Sequence, residues 1–191
     1  MIHILLTCIA VVALAEIGDK TMLLAIILAA KLRAPKQIIA GILCATIANH
    51  AMAAFVGSEV AGLIQAPWFR AAVALGFIAM AAWTLVPDKL DEAEGDVKAR
   101  GGAFLTTLVS FFLVEMGDKT QVATVALGAQ YHSVMIVAAG TTIGMMLVNG
   151  PSVYMGERIT RIVPLKAARI GAALLFLFLG IWQLMELAGW L

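Results

Sequence analysis

Glu16-Ile17-Gly18-Asp19-Lys20-Thr21 lies in the middle of an apolar run from Ile2 to about Leu32. Ninety-nine positions later, Glu115-Met116-Gly117-Asp118-Lys119-Thr120 repeats five of its six residues inside a second apolar run, Ala103 to Ala129. Charge is expensive in such surroundings, at about 3 kcal/mol per ionisable residue near a bilayer midplane on insertion scales. Two acids and a base per copy therefore call for a function, and the default reading of intramembrane carboxylates is an ion or proton pathway. A structural Glu–Lys clasp would account for one copy. It does not account for the additional aspartate or for the duplication.

The 191 residues are 62% hydrophobic and only 13% charged, against roughly a quarter charged in soluble domains. This is the composition of an all-α integral membrane protein. The net charge of +1 says nothing about nucleic acid, and no basic, aromatic-interleaved patch suggests such a partner, so none is expected. Cys8 and Cys44 lie in apolar segments without CxxC spacing and read as free, buried thiols. Ala13-Leu14-Ala15 resembles a signal-peptidase site, but no basic region precedes it, and the second copy keeps its equivalent helix, Phe104 to Val114. The first apolar segment is therefore expected to be a retained span.

A span needs about 20 apolar residues, and the runs divide into six: Ile2–Lys31, Gln37–Ile64, Trp68–Val86, Ala103–Gln130, Ser133–Met155 and Lys166–Trp190. The hydrophilic stretch 88–102, rich in Asp and Glu, separates a first three-helix repeat, 1–87, from a second, 103–191. With three spans per half, the second half enters the membrane from the opposite side. That is the inverted-repeat plan of many secondary transporters, whose ion sites lie at the repeat interface. Outside the motifs, Lys31, Arg33, Lys36, Lys89, Lys98, Arg100, Arg158, Arg161, Lys166 and Arg169 fall in or beside the first, third and fifth loops, and only Arg70 lies on the other side. By the positive-inside rule those loops are cytoplasmic and both termini face outward.

On a continuous helix, Asp19 would lie about 60° to one side of Glu16 and Lys20 about 40° to the other, so the three would share a face. Gly18 would let a neighbouring helix approach or the backbone unwind. Thr21 and Thr120 would return a hydroxyl to the preceding turn or donate to a carboxylate. Lys20 and Lys119, each four residues after a glutamate, are expected to hold those carboxylates by ion pairing. Two facing copies total −2 when ionised, a charge neutralised by one divalent cation or by two protons. Neither motif contains His or Cys, and an all-oxygen donor set suits Ca²⁺, Mg²⁺ or Mn²⁺ rather than Zn²⁺ or Cu⁺.

At the next position the copies differ. Gln121 could add an amide oxygen, whereas Met22 reads as filler. Asn49 and Asn149, one in the middle span of each half, are candidate direct or supporting ligands. Asn149-Gly150-Pro151 leaves room for a discontinuous fifth span. His50 reads as a satisfied structural histidine in preference to a proton relay, and His132 as an exposed turn residue.

Two copies of Glu-x-Gly-Asp-Lys-Thr, in two three-helix halves joined by an acidic loop, resemble the Gdt-type cation exchanger family over essentially the whole chain. The resemblance implies cation/proton antiport of Mn²⁺ or Ca²⁺, with manganese efflux across the inner membrane the usual role of the prokaryotic members. It implies Glu16, Asp19, Glu115 and Asp118 as cation ligands, supported by Lys20, Lys119, Thr21 and Thr120. The metal and protons are then cargo, lipid is the surroundings, and no resident cofactor is expected. The apolar outer faces permit a monomer or a homodimer. A passive channel would need weak multi-site binding along a through-path. A lipid-processing enzyme would want an arginine clamp for phosphate, whereas every arginine here is in a loop or at a span end.

Overall fold

The computed structural model describes residues 1–63, 66–87, 101–156, 158–162 and 164–190, and every regular element among them is an α-helix. In chain order these are α1 (Ile2–Glu16), α2 (Lys20–Leu32), α3 (Pro35–Leu63), α4 (Pro67–Thr84), α5 (Gly102–Glu115), α6 (Lys119–Tyr131), α7 (Val134–Met155), the short α8 (Arg158–Ile162) and α9 (Leu165–Leu187). Helices α3, α4, α7 and α9 are long and apolar enough to cross a membrane, and the bent pair α1–α2 makes a fifth candidate. Of the expected linker 88–102, all but Gly101 and Gly102 lies outside the described residues.

The expected continuous helices over Ile2–Lys31 and Ala103–Gln130 are each interrupted at the motif, so its acids and base do not lie along one helical face. α1 ends at Glu16, Gly18 adopts φ +83°, and Asp19, extended at φ −80° and ψ 166°, caps α2 through a 3.4 Å hydrogen bond that its carboxylate accepts from the Thr21 amide. The second copy repeats this course: α5 ends at Glu115, Gly117 takes φ +77°, and Asp118 stands at the start of α6 with φ −75° and ψ 166°. Positive φ is open to glycine and costs other residues about 1–2 kcal/mol, which explains the glycine in both copies. Across the first break the chain turns by 68°. At 15 residues, α1 is about 22 Å long, short of a hydrocarbon core of about 30 Å.

This geometry makes Gly117→Ala a clean probe. An added Cβ would meet nothing within 4 Å, so only the backbone conformation opposes it. The expected result is a fall in midpoint of thermal unfolding in detergent of about 2–6 °C, from about 1–2 kcal/mol of left-handed strain. An unchanged midpoint would mean that the break tolerates another conformation.

α7 runs unbroken through Asn149-Gly150-Pro151, with Pro151 inside the helix. The discontinuous fifth span therefore does not form: proline removes a single N–H, and a helix within a bundle absorbs that loss. Cys8 is buried, as expected, but Cys44 is exposed.

The bundle is built by α1 on α7, α3 on α5, α6 and α7, and α4 on α9. One apolar cluster surrounds Val11, Phe77, Leu127 and Phe176, and a second surrounds Leu28, Ile42 and Phe111. Several contacts recur with both residues shifted by 99. Gly41 packs against Phe104 and Thr107, and Gly140 against Leu5 and Cys8. Arg33 and His132 end α2 and α6 in the same left-handed conformation, at φ 50° and 49°. In two places a residue meets its own counterpart. The Thr46 hydroxyl donates to the Met145 sulfur at 2.9 Å, a separation of 99 in sequence. Phe77 stacks on Phe176 with ring centroids 6.4 Å apart.

Candidate metal centre

Each break places one carboxylate at the end of a helix and another at the start of the next. The first amides of a helix carry partial positive charge and lack partners within the helix, so Asp19 and Asp118 occupy the favourable end of α2 and α6. All four acids are buried, with relative exposures of 0% for Glu16, 2% for Asp19, 1% for Glu115 and 5% for Asp118. Carboxylate oxygens of Glu16, Asp19 and Asp118 lie within 4.8 Å of one another. That spread suits one small ion, because oxygens about 2.1–2.6 Å from a Mg²⁺ or Ca²⁺ ion lie up to about 4–5 Å apart. The trio draws on both motif copies, which sequence spacing alone could not establish.

The threonines donate to the carboxylates of their own motif. Thr21 Oγ1 donates to Glu16 Oε2 at 2.6 Å and also lies 3.3 Å from Asp19 Oδ2. Thr120 Oγ1 donates to Glu115 Oε1 and lies 3.4 Å from Asp118 Oδ2. A single hydroxyl thus bridges the two acids on either side of each break.

The lysines depart from expectation. With Glu and Lys no longer on one helix, the i,i+4 pairing is displaced. Lys20 Nζ instead lies 3.5 Å from Asp118 Oδ1 in the other half. Lys119 Nζ donates to the Val86 carbonyl at 2.9 Å and stands 5.9 Å from the centroid of the Trp83 ring.

Of the two asparagines, one is at the site and one is a step away. Asn149 Nδ2 donates to Glu16 Oε2 at 2.9 Å and to the Met145 carbonyl at 3.3 Å. Asn49 Nδ2 donates to the Phe112 carbonyl at 3.1 Å, while its oxygen lies 3.5 Å from Gln121 Nε2. The Gln121 oxygen accepts the Gly117 amide at 2.6 Å, so Gln121 and Asn49 brace the second break. Met22 is buried.

His50 is the residue that sequence reasoning misjudged. It is fully buried, neither ring nitrogen has a hydrogen-bond partner, and Nε2 lies 3.7 Å from Glu115 Oε1. It is not a satisfied histidine. The available signal was the 99-residue offset, because His50 is the counterpart of Asn149, and each faces the motif glutamate of the other half.

Buried acceptors of the motif glutamates and Asn149 are also without hydrogen-bond partners among the described residues: Glu16 Oε1, Glu115 Oε2 and Asn149 Oδ1. Leaving one buried acceptor unmet costs about 1–3 kcal/mol, and more if it is charged. Oxygen acceptors gathered around repelling carboxylates fit a hard cation, which would satisfy them together.

The profile of the family described as "Divalent cation/proton antiporter GDT1" matches this chain twice, over residues 4–92 and 103–190. The chain belongs to the GDT1 family. GDT1 proteins are transporters of divalent cations in exchange for protons, not enzymes. Among its relatives is a Vibrio cholerae protein named "Putative manganese exporter", 44% identical over 182 residues, which cover 95% of this chain and 90% of that protein. The Arabidopsis thaliana "GDT1-like protein 5" is 26% identical, with 90% of this chain and 91% of that protein covered. The rice "GDT1-like protein 3" is 27% identical, with 92% and 71% covered. No solved structure matches this GDT1 chain.

Proposed function

We propose that this GDT1 chain exports Mn²⁺ from the cytoplasm across the inner membrane in exchange for protons, with Ca²⁺ as a second cargo. In this reading Glu16, Asp19, Glu115 and Asp118 are the cation ligands, and Lys20, Lys119, Thr21, Thr120, Gln121, Asn49 and Asn149 support them. The observation that carries it is the convergence of Glu16, Asp19 and Asp118 within 4.8 Å, drawn from both motif copies. The name of the Vibrio protein supports manganese over other small divalent ions.

The proposed scaffold is six spans arranged as inverted repeats, 1–87 and 103–191, joined by a cytoplasmic linker at 88–102, with both termini outside. Helices α5 and α6 then make a broken span like α1–α2. Contacts that recur on shifting both residues by 99, including counterparts that touch each other, support a twofold relation between the halves. The distribution of basic residues supports the orientation.

The chemistry follows from charge. Four carboxylates and the two motif lysines leave the site at −2 when all are ionised, and one Mn²⁺ neutralises it. On the outer side two protons do the same and release the metal, and the protonated site returns inward. Cation and protons compete for the same oxygens, so neither crosses without displacing the other.

The test is transport by the full chain in proteoliposomes containing a pH-sensitive dye. The expected outcome is Mn²⁺ movement that follows an imposed proton gradient and drives a dye signal of opposite direction. Mn²⁺ flux with no proton movement would replace the antiporter with a passive channel, and no flux of either ion would end the reading.

A further inference from the structure

The two motif glutamates differ in what faces them. Glu16 receives the Asn149 amide at 2.9 Å. Glu115 faces the imidazole of His50, with Nε2 3.7 Å from Oε1. Because His50 and Asn149 occupy counterpart positions, the chain carries one neutral oxygen-bearing side chain and one nitrogen base at two otherwise equivalent places. The 3.7 Å gap is too long for a hydrogen bond. It fits two donors on one ion, since ligands about 2.2 Å from a cation and about 115° apart are about 3.7 Å from each other.

Both nitrogens of His50 are buried without hydrogen-bond partners, as are Glu115 Oε2 and Asn149 Oδ1. Structural histidines normally bind a carbonyl, carboxylate or water through one nitrogen. The Nε2 of this buried ring is turned to Glu115, which lies outside the 4.8 Å trio but is joined to its Asp118 through the Thr120 hydroxyl.

We infer that His50 is a specificity-determining cation ligand, whose imidazole nitrogen joins Glu115 on the transported ion and makes this site prefer transition-metal ions such as Mn²⁺ over Ca²⁺ and Mg²⁺. The inference rests on the transport reading above and deepens it. Alkaline-earth ions take oxygen ligands almost exclusively, whereas first-row transition metals accept imidazole. Mn²⁺ is the hardest and weakest-binding of the first-row series yet takes imidazole more readily than Ca²⁺, so one nitrogen among oxygens disfavours Ca²⁺ more than Mn²⁺. The motif pair, built only of oxygens, does not make that distinction.

The experiment measures Mn²⁺ and Ca²⁺ uptake separately by wild type and His50→Asn in proteoliposomes; the substitution gives His50 the side chain of its counterpart. The expected result is a fall of about tenfold in the ratio of Mn²⁺ to Ca²⁺ transport efficiency, the size typical of a change at or beside a metal ligand, expressed mainly in KM for Mn²⁺. A ratio unchanged while wild type transports Mn²⁺ overturns the inference and leaves the transport reading standing. Wild type that moves neither ion overturns both. A second measurement needs no variant: electron spin echo spectra of Mn²⁺ bound to the wild-type chain should show nitrogen hyperfine modulation. Its absence overturns the inference even if His50→Asn fails to fold.

Discussion

Asp118→Asn is expected to reduce proton-driven Mn²⁺ transport at least about a hundredfold while the protein still inserts and folds. Asp118 contributes an oxygen to the converging trio and lies 3.5 Å from Lys20. The amide keeps the shape but removes the charge, so the site loses one anionic ligand for the ion and the 3.5 Å ion pair with Lys20. Losing a residue that merely supports a metal ligand typically costs about 10–100-fold in affinity or activity, and removing a charged ligand itself should cost at least the upper end of that range. Glu16→Gln should behave alike. Its amide oxygen would retain the Thr21 and Asn149 hydrogen bonds that Glu16 Oε2 now accepts, leaving an NH₂ in place of the buried, unpartnered Oε1. Growth in high manganese and vesicle transport are the measurements. Normal efflux by either variant would remove the carboxylate site from the mechanism.

Gly57→Ala is expected to be the most damaging single-methyl change in the bundle, with a fall of about 10 °C in unfolding midpoint or failure to accumulate. A Cβ there would stand 2.0 Å from the Val125 carbonyl oxygen and 2.9 Å from the Ala129 nitrogen, both backbone atoms of α6. From the other side, a Cβ on Gly128 would lie 2.5 Å from the Ala54 carbonyl oxygen. The helices meet backbone to backbone, as small residues allow in membranes, and no rotamer change relieves the clash. The cost lies at or above the 1–3 kcal/mol usual for overpacking, or about 10 °C for a chain of this size. Because α6 begins at Lys119, beside Asp118, pushing it away also moves a site residue, so transport should fall with stability. Gly76→Ala is the control: nothing lies within 4 Å of its added Cβ, and a better helix former there should leave the midpoint unchanged or raise it slightly. A wild-type midpoint for Gly57→Ala would show that α3 and α6 are not in backbone contact.

What could be read without coordinates was what depends on composition and periodicity. Apolar run lengths located the helices, and the duplicated acids pointed to a cation chemistry before any distance was known. The helix break was only half legible. Gly18 permits unwinding, but Glu-x-Gly-Asp-Lys-Thr has good helical spacing throughout, and only tertiary surroundings decide between a continuous turn and one capped by Asp19. The lysine contacts were illegible because the i,i+4 rule assumes the helix that the break removes, so Lys20 reaches across to Asp118. His50 was legible and overlooked. Pairing Asn49 with Asn149 by residue type hid the positional match between His50 and Asn149, because duplicated halves preserve places longer than they preserve side chains.

The contacts Thr46–Met145 and Phe77–Phe176 have a consequence for alternating access. When a twofold-related pair of halves trades conformations, each contact is replaced by its image under the shift of 99: the Glu16–Asn149 pair becomes Glu115–His50, and the reverse. A contact between counterparts is its own image. In the proposed inverted-repeat exchanger these two would be invariants of the exchange, a pivot expected to stay closed in both the inward- and outward-facing states.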